Sequence, residues 1–172
     1  MGIDALEVAS LLSQIEILPM SMVNLPEVMD IERLCFPSPW SKSSFEEVLT
    51  REYSHAYVIK GMHQGKYRVI GYICFWMFLD EMHILNLAIH PKFQRQGLGY
   101  NLLQYSLNLA EKRGIHWATL EVRKSNYVAI SLYKKVGFKP VRIRHNYYLD
   151  NREDAVVMEK IIGKKGGDTH GS

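Results

Sequence analysis

Gln94-Arg95-Gln96-Gly97-Leu98-Gly99-Tyr100 decides how the rest of the chain is read. It follows Leu85-Asn86-Leu87-Ala88-Ile89-His90-Pro91, where Leu85, Leu87 and Ile89 alternate as on one face of a strand and Pro91 stops it. A long helical pattern runs on from Arg95 to Lys112, with Leu98, Leu102, Leu109 and Ala110 facing inward. A helix N-terminus leaves backbone N–H groups unpaired and carries partial positive charge. Gly97 and Gly99 put no Cβ between those groups and an incoming pyrophosphate, and Arg95 adds a full charge. The same residues also suit a tight turn in which glycine serves geometry alone. The pattern is neither Gly-x-Gly-x-x-Gly nor a Walker motif ending in Gly-Lys-Ser/Thr, so the usual dinucleotide and nucleoside-triphosphate readings are weak.

On the N-terminal side, Ile3, Leu6, Leu11 and Leu12 have loosely helical spacing, and Gln14 to Leu18 reads as a short strand. Asn24-Leu25-Pro26-Glu27 carries a capping-box signature, and Val28, Ile31 and Leu34 continue one helical face. Phe36-Pro37-Ser38-Pro39-Trp40-Ser41 breaks the helix, and Ser41 is placed to cap a second one bearing Phe45, Val48 and Leu49. Strands are predicted over 55–60, 67–78 and 83–89. Beyond the long helix come Gly114 at a C-cap position, a strand over 117–123 and a helix over 126–136 ended by Gly137. A hairpin of 138–148 and 155–162 turns around Asp150-Asn151-Arg152. Regular βαβα alternation is missing. That argues against a plain doubly wound sheet and predicts a mixed α/β sheet with covering helices. Residues 1–14 read as an extension, 15–162 as one domain, and the Gly/Lys-rich 163–172 as a disordered tail.

Composition narrows the function classes. At 172 residues the chain suits one domain, which buries roughly 70% of its unfolded surface without needing a disulfide or metal. Lys and Arg number 21 against 18 Asp and Glu, a net +3 too small for a nucleic-acid footprint. Cys74, within Ile73-Cys74-Phe75-Trp76, reads as a buried, inert thiol. The longest apolar run, Ile70 to Leu79, is about half of the ~20 residues a membrane helix needs. Met1-Gly2-Ile3-Asp4 lacks the start of a signal peptide, so a cytoplasmic location is expected, with no membrane partner. No His-Glu-x-x-His, Cys-x-x-Cys or Gly-x-Ser-x-Gly spacing occurs, so neither a metal nor a covalent serine relay is expected.

Gln-x-x-Gly-x-Gly directly after the strand resembles the acetyl-CoA motif of the Gcn5-related N-acetyltransferases (GNAT). Further stretches are similar to the ribosomal-protein-alanine N-acetyltransferases (RimI type) within that superfamily. These are Leu120-Glu121-Val122-Arg123-Lys124-Ser125-Asn126, Ala129-Ile130-Ser131-Leu132-Tyr133 with Gly137-Phe138, and Cys35-Phe36-Pro37-Ser38-Pro39-Trp40-Ser41. Asn146-Tyr147-Tyr148 and Glu153-Asp154-Ala155 complete the set, and the likeness covers 15–162. Tyr100 departs from it, standing where small or basic residues are common. The resemblance implies a GNAT fold, its mostly antiparallel sheet splayed after the fourth strand. It implies that backbone groups of Leu87, Ala88 and Ile89 pair with the pantetheine arm of acetyl-CoA. Arg95, Gln96, Gly97, Leu98, Gly99 and Tyr100 would take the pyrophosphate, and Asn126 would lie near the thioester. A helix N-cap is the other reading of Asn126.

Acetyl transfer to an amine needs proton removal from the amine, oxyanion stabilisation and a proton donor for the departing thiolate. An α-amine has a pKa of about 8 and a lysine amine about 10.4, so an N-terminus asks little of its base. Glu121, mid-strand between Leu120 and Val122, is the candidate base; an ion pair with Arg123 or another cation is the alternative. Asn126, Ile130 and Tyr133 share a helical face, which makes Tyr133 the candidate acid, or else a core aromatic. His83 and His90 read as ordinary strand residues. In the family the late hairpin, with Tyr147 and Tyr148, and the loop of Trp40 line the acceptor groove; covering the sheet and closing a loop are the alternatives. The expected acceptor is a protein N-terminus, that of a small-subunit ribosomal protein first, and the protein is expected as a monomer or weak oligomer. Rival readings are a broader N-terminal or small-molecule amine acetyltransferase, and a non-catalytic acyl-CoA- or ribosome-binding module.

Overall fold

Polar caps, prolines and left-handed glycines set the element boundaries in the computed structural model, which describes residues 4–163. Helix α1 (Ala5–Ser13) starts where Asp4 accepts the amide of Glu7 at 2.7 Å, and it buries Leu11. Strand β1 (Glu16–Pro19) and a 3-10 turn (Met22–Asn24) lead into α2 (Leu25–Cys35). The expected capping box at Asn24 and Glu27 does not form. Asn24 Oδ1 instead accepts the amide of Ser21 at 2.9 Å, and Glu27 reaches the amide of Val69 at 3.1 Å. The 3-10 turn running straight into α2 leaves Asn24 in helical backbone, from which its side chain cannot cap forward. Ser41 caps α3 (Lys42–Thr50) as predicted, accepting from Ser44 at 3.2 Å.

Strands β2 (Ser54–His63), β3 (Lys66–Phe78) and β4 (Glu81–Ile89) follow. Helix α4 (Leu98–Lys112) begins three residues later than the periodicity predicts. Pro91–Phe93 forms a 3-10 turn, and left-handed Arg95 (φ +63°) and Gly97 (φ +77°) keep the chain out of a helix until Leu98. Then come β5 (Trp117–Arg123), α5 (Tyr127–Val136) closed by Gly137 at φ +105°, β6 (Lys139–Arg144) and β7 (Ala155–Ile161). The tail beyond residue 163 lies outside the described residues. The strands hydrogen-bond in the order β1-β2-β3-β4-β5-β7-β6, and the pairs β1/β2, β2/β3, β5/β7 and β6/β7 are antiparallel. The mixed α/β class read from the sequence holds.

Two compact units make up the chain. The first runs through Trp76 and includes Ile84–Gln104. Val28 and Ile31 of α2, Phe45 of α3, Val58 of β2 and Tyr72 and Cys74 of β3 form its core. Strand β3 is buried on both faces from Val69 to Phe75, which is why its apolar run reads without alternation. A Cβ added at Gly71 would stand 2.4 Å from Ile89 Cδ1 and 2.9 Å from the Ala88 carbonyl oxygen. The backbone oxygen has nowhere to go. Gly71→Ala is therefore expected to lower stability by about 1–3 kcal/mol in thermal or denaturant unfolding.

The second unit comprises Met77–His83 and the chain from Tyr105. Leu120 and Val122 of β5, Tyr133 and Val136 of α5, Phe138, and Val157 and Met158 of β7 are buried there. The final hairpin is shorter than predicted. β6 stops at Arg144, and 145–154 is a loop in which Asn146 (φ +53°) and Arg152 (φ +57°) take left-handed backbone. Asp154 stabilises this departure by accepting the Asn146 amide at 3.0 Å and facing His145 Nδ1 at 3.2 Å. Tyr147 and Tyr148 consequently sit on a loop and not on a strand.

Candidate active site

In the first unit, the end of β4 meets the glycine turn. His90 donates its amide to Ile70 O at 2.8 Å, so strand alternation turns Ala88 toward β3 and Leu87 and Ile89 toward the opposite edge. The Ile89 carbonyl is already engaged: it accepts from Gln94 Nε2 at 2.9 Å and from Cys35 Sγ at 3.3 Å. Burial, and next the nearby Glu32, push the Cys35 thiol up to about 11, so it stays a protonated donor. The groups on that edge suited to an extended ligand are those of Leu87 and the Ile89 amide.

Gln94 thus ties the turn to the strand. Arg95 and Gly97 are exposed, Gln96, Gly99 and Tyr100 are partly so, and Leu98 is buried. Only the backbone of Leu98 can face a ligand. Asn101 makes the first helical bond, to Gly97 O at 3.0 Å, so the amides ahead of it belong to the N-terminal opening of α4. Nothing lies within 4 Å of a Cβ built on Gly97; its requirement is the left-handed φ.

The reacting-group candidates fall in the second unit. Glu121 lies opposite Val157 of β7, and its side chain is only 12% exposed. Its Oε2 is 2.6 Å from His83 Nε2, and its Oε1 accepts from Arg144 Nη1 at 3.2 Å. The hydrogen bond from His83, chiefly, and the Arg144 guanidinium hold the Glu121 carboxyl below the usual carboxylate range against the opposing effect of burial. The ion-pair alternative does form, with Arg144 and not with Arg123. Arg123 instead reaches Asp150 at 2.8 Å and Glu153 at 3.4 Å, and its guanidinium lies 4.0 Å from the centre of the Tyr148 ring.

Tyr133 is 7% exposed and packs edge-on against Phe138 at 5.9 Å. Burial, chiefly, and Tyr148 nearby push its phenol well above the usual range. Asn126 caps α5, its Oδ1 accepting the Ala129 amide at 3.2 Å. The amide Nδ2 is then the atom it could offer a ligand. Tyr147 and Tyr148 meet edge to face at 5.2 Å, and Arg144 stands 4.5 Å from the Tyr147 ring centre. Burial pushes the Tyr148 phenol up to about 12. Trp40, in the first unit, packs on Phe45 at 5.3 Å.

His83 and Arg144 were not legible as site residues. The place of His83 follows from strand register. Asp80 O accepts the amides of His116 and Trp117 at 2.8 and 3.3 Å, so β4 and β5 begin together, and a few residues on His83 meets Glu121. A single sequence does not carry that register. Arg144 left no signal at all.

Comparisons with known proteins agree with this fold. Residues 25–138 match the model of the acetyltransferase (GNAT) family. A putative ribosomal protein bS18-alanine N-acetyltransferase of Bacillus subtilis (strain 168) is 40% identical over 147 residues, 84% of this chain and 94% of the relative. The ribosomal protein bS18-alanine N-acetyltransferase of Escherichia coli (strain K12) is 36% identical, covering 78% of this chain and 89% of its own. The crystal structure of the Escherichia coli ribosomal-protein-S18-alanine N-acetyltransferase superposes with a TM-score of 0.79 at 35% identity, over 91% of this chain and 99% of that one. The chain belongs to the acetyltransferase (GNAT) family.

Proposed function

We propose that this protein transfers the acetyl group of acetyl-CoA to the N-terminal α-amine of a protein, with the N-terminal alanine of a small-subunit ribosomal protein as its acceptor, in the cytoplasm. The observation that carries the chemistry is the 2.6 Å contact of His83 and Glu121, with Tyr148 near Glu121 and Tyr133 near Tyr148. The names of the relatives support the acceptor. Acetyl-CoA brings an acetyl thioester. Leu87 and the Ile89 amide pair with its arm, the amides and charge of residues 95–100 hold its pyrophosphate, and Asn126 Nδ2 reaches toward its thioester end. The exposed left-handed turn and the buried Leu98 side chain fit that task, since both present backbone and no bulk.

The amine nitrogen forms a bond to the thioester carbon as the carbon–sulfur bond breaks. A carboxylate held below its usual range is a weak base alone. Hydrogen-bonded to the His83 imidazole, it shares the proton that it takes from the amine through a water. Tyr133 faces the departing sulfur. Its raised phenol makes it a lasting hydrogen-bond donor more than a source of a fully transferred proton. Tyr147, Tyr148 and Trp40 hold the acceptor's first residues.

Gly97→Val is expected to weaken acetyl-CoA binding about tenfold by calorimetry, because a β-branched residue opposes φ +77° by roughly 1–2 kcal/mol. Wild-type affinity in the folded variant would return the turn to a purely structural role. Tyr147 and Tyr148 changed together to Phe keep both rings and lose two hydroxyls. The KM for an Ala-starting peptide should rise between severalfold and about a hundredfold, with acetyl-CoA affinity unchanged. The proposal itself is tested by incubating the protein with acetyl-CoA and peptides differing in their first residue, and locating the added acetyl group by mass spectrometry. The expected product is one acetyl on the α-amine, with alanine first. Equal reaction of many N-termini indicates a broad enzyme. Acetyl-CoA binding without turnover indicates a binding module.

A further inference from the structure

Glu32 is the one buried charged side chain among the described residues, at 1% exposure. It projects from α2, and its hydrogen-bond donors are all neutral. Oε1 accepts the backbone amide of Trp40 at 2.9 Å. Oε2 accepts from Asn86 Nδ2 of β4 at 2.8 Å and from the Tyr72 hydroxyl of β3. Asn86 Nδ2 also lies 3.3 Å from the Tyr72 hydroxyl. A carboxylate without a cation beside it is a costly way to fill a core, and an apolar residue of similar volume often serves stability as well. What the apolar residue cannot do is hold a donor in place.

The donor at issue is the Trp40 amide. The segment Phe36–Ser41 contains Pro37 and Pro39 and no helix or strand, so no ladder is at hand to pair it. Glu32 takes it from eight residues back. The loop is pinned a second time through its ring: Trp40 stacks at a tilt on Phe45, Phe45 meets Tyr72 edge-on at 5.6 Å, and Tyr72 returns to Glu32. The same carboxylate therefore fixes the loop of Trp40 to β3 and to Asn86, which adjoins Leu87 on β4.

We infer that Glu32 is a positioning residue for the acceptor: it sets the Trp40 loop against the strand that carries Leu87, and so tunes peptide binding and not the chemical step. This rests on the acceptor role of Trp40 given above. Glu32→Leu should raise the KM for an Ala-starting peptide about tenfold or more, since a hydrogen bond to a charged group is lost, with kcat and acetyl-CoA affinity within a factor of about three. Glu32→Gln should stay close to wild type. Its carbonyl oxygen still takes the Trp40 amide, while the Tyr72 hydroxyl turns to accept from the new NH2 group and the Asn86 side-chain amide flips so that its Oδ1 accepts from that group too.

Amide hydrogen exchange supplies a readout independent of turnover. In the wild type the Trp40 amide should exchange far more slowly than that of exposed Ser38 in the same loop, and Glu32→Leu should erase the difference while Glu32→Gln keeps it. An unchanged KM in folded Glu32→Leu would overturn the inference, as would a matching loss of acetyl-CoA affinity. Equal exchange of Trp40 and Ser38 in the wild type would overturn it even if Glu32→Leu does not fold. Failure of the wild type to acetylate any peptide N-terminus counts against the acceptor reading instead, with the exchange rates still deciding the part played by Glu32.

Discussion

Glu121→Gln should lower kcat by about 10²–10⁴-fold, the range of a general-base contribution. The amide keeps the shape and one acceptor but loses the charge that His83 Nε2 meets at 2.6 Å, so the pair can no longer take a proton from the incoming amine. The loss should shrink as pH rises, because an α-amine with a pKa of about 8 then arrives already neutral. His83 and Arg144 lower the Glu121 carboxyl pKa, so their contribution is present above the ordinary carboxylate range and fades only as pH falls through the lowered value. Glu121→Gln also removes the stabilisation that these partners give the carboxylate at pH 7, so the variant's fold is verified alongside its kinetics. Steady-state kinetics between pH 6.5 and 9.5, chosen to span about 1.5 units either side of that amine pKa, checks both the size and the slope. Full activity in a folded variant would make the Glu121 cluster a structural ion pair.

Tyr133→Phe should lower kcat by about 10²–10³-fold, the usual cost of removing one donor from a developing charge. Its ring packing on Phe138 at 5.9 Å survives the change, so acetyl-CoA affinity should not move. Because burial holds the phenol above its usual range, the hydroxyl remains a donor through neutral and mildly alkaline pH. The deficit of the variant should therefore be flat across that range, in contrast to that of Glu121→Gln. Pre-steady-state turnover, which isolates the chemical step from product release, measures it directly.

Local pattern carried the fold a long way. The strand before Pro91, the glycine turn, the caps at Ser41 and Gly137 and the burial of Leu120 and Val122 on either side of Glu121 all follow from spacing and residue type. Where the reading failed, a non-local partner decided. Glu27 was matched to Asn24 by sequence distance, yet it serves Val69 across 42 residues. The last strand was carried through Tyr148 because its residues suit a strand, but Asp154 closes a loop on Asn146 that periodicity does not register. In the candidate site, the placement of Glu121 mid-strand and of Tyr133 on a helix was legible. The partners of Glu121 were not, since His83 and Arg144 reach it across 38 and 23 residues. Pairings of that kind are properties of strand register and loop closure, which a single sequence encodes only collectively.

The most direct test of N-terminal acetyl transfer uses one peptide in two forms, both beginning with alanine and carrying internal lysines, one with a free and one with a blocked N-terminus. Each is incubated with acetyl-CoA, and the modified positions are read by mass spectrometry. A lysine amine is mostly protonated at neutral pH and comes on a long flexible stem. The account predicts a single acetyl on the α-amine of the free peptide and no reaction of the blocked one. Efficient acetylation of lysines in the blocked peptide would contradict it and leave a lysine acetyltransferase on the same fold.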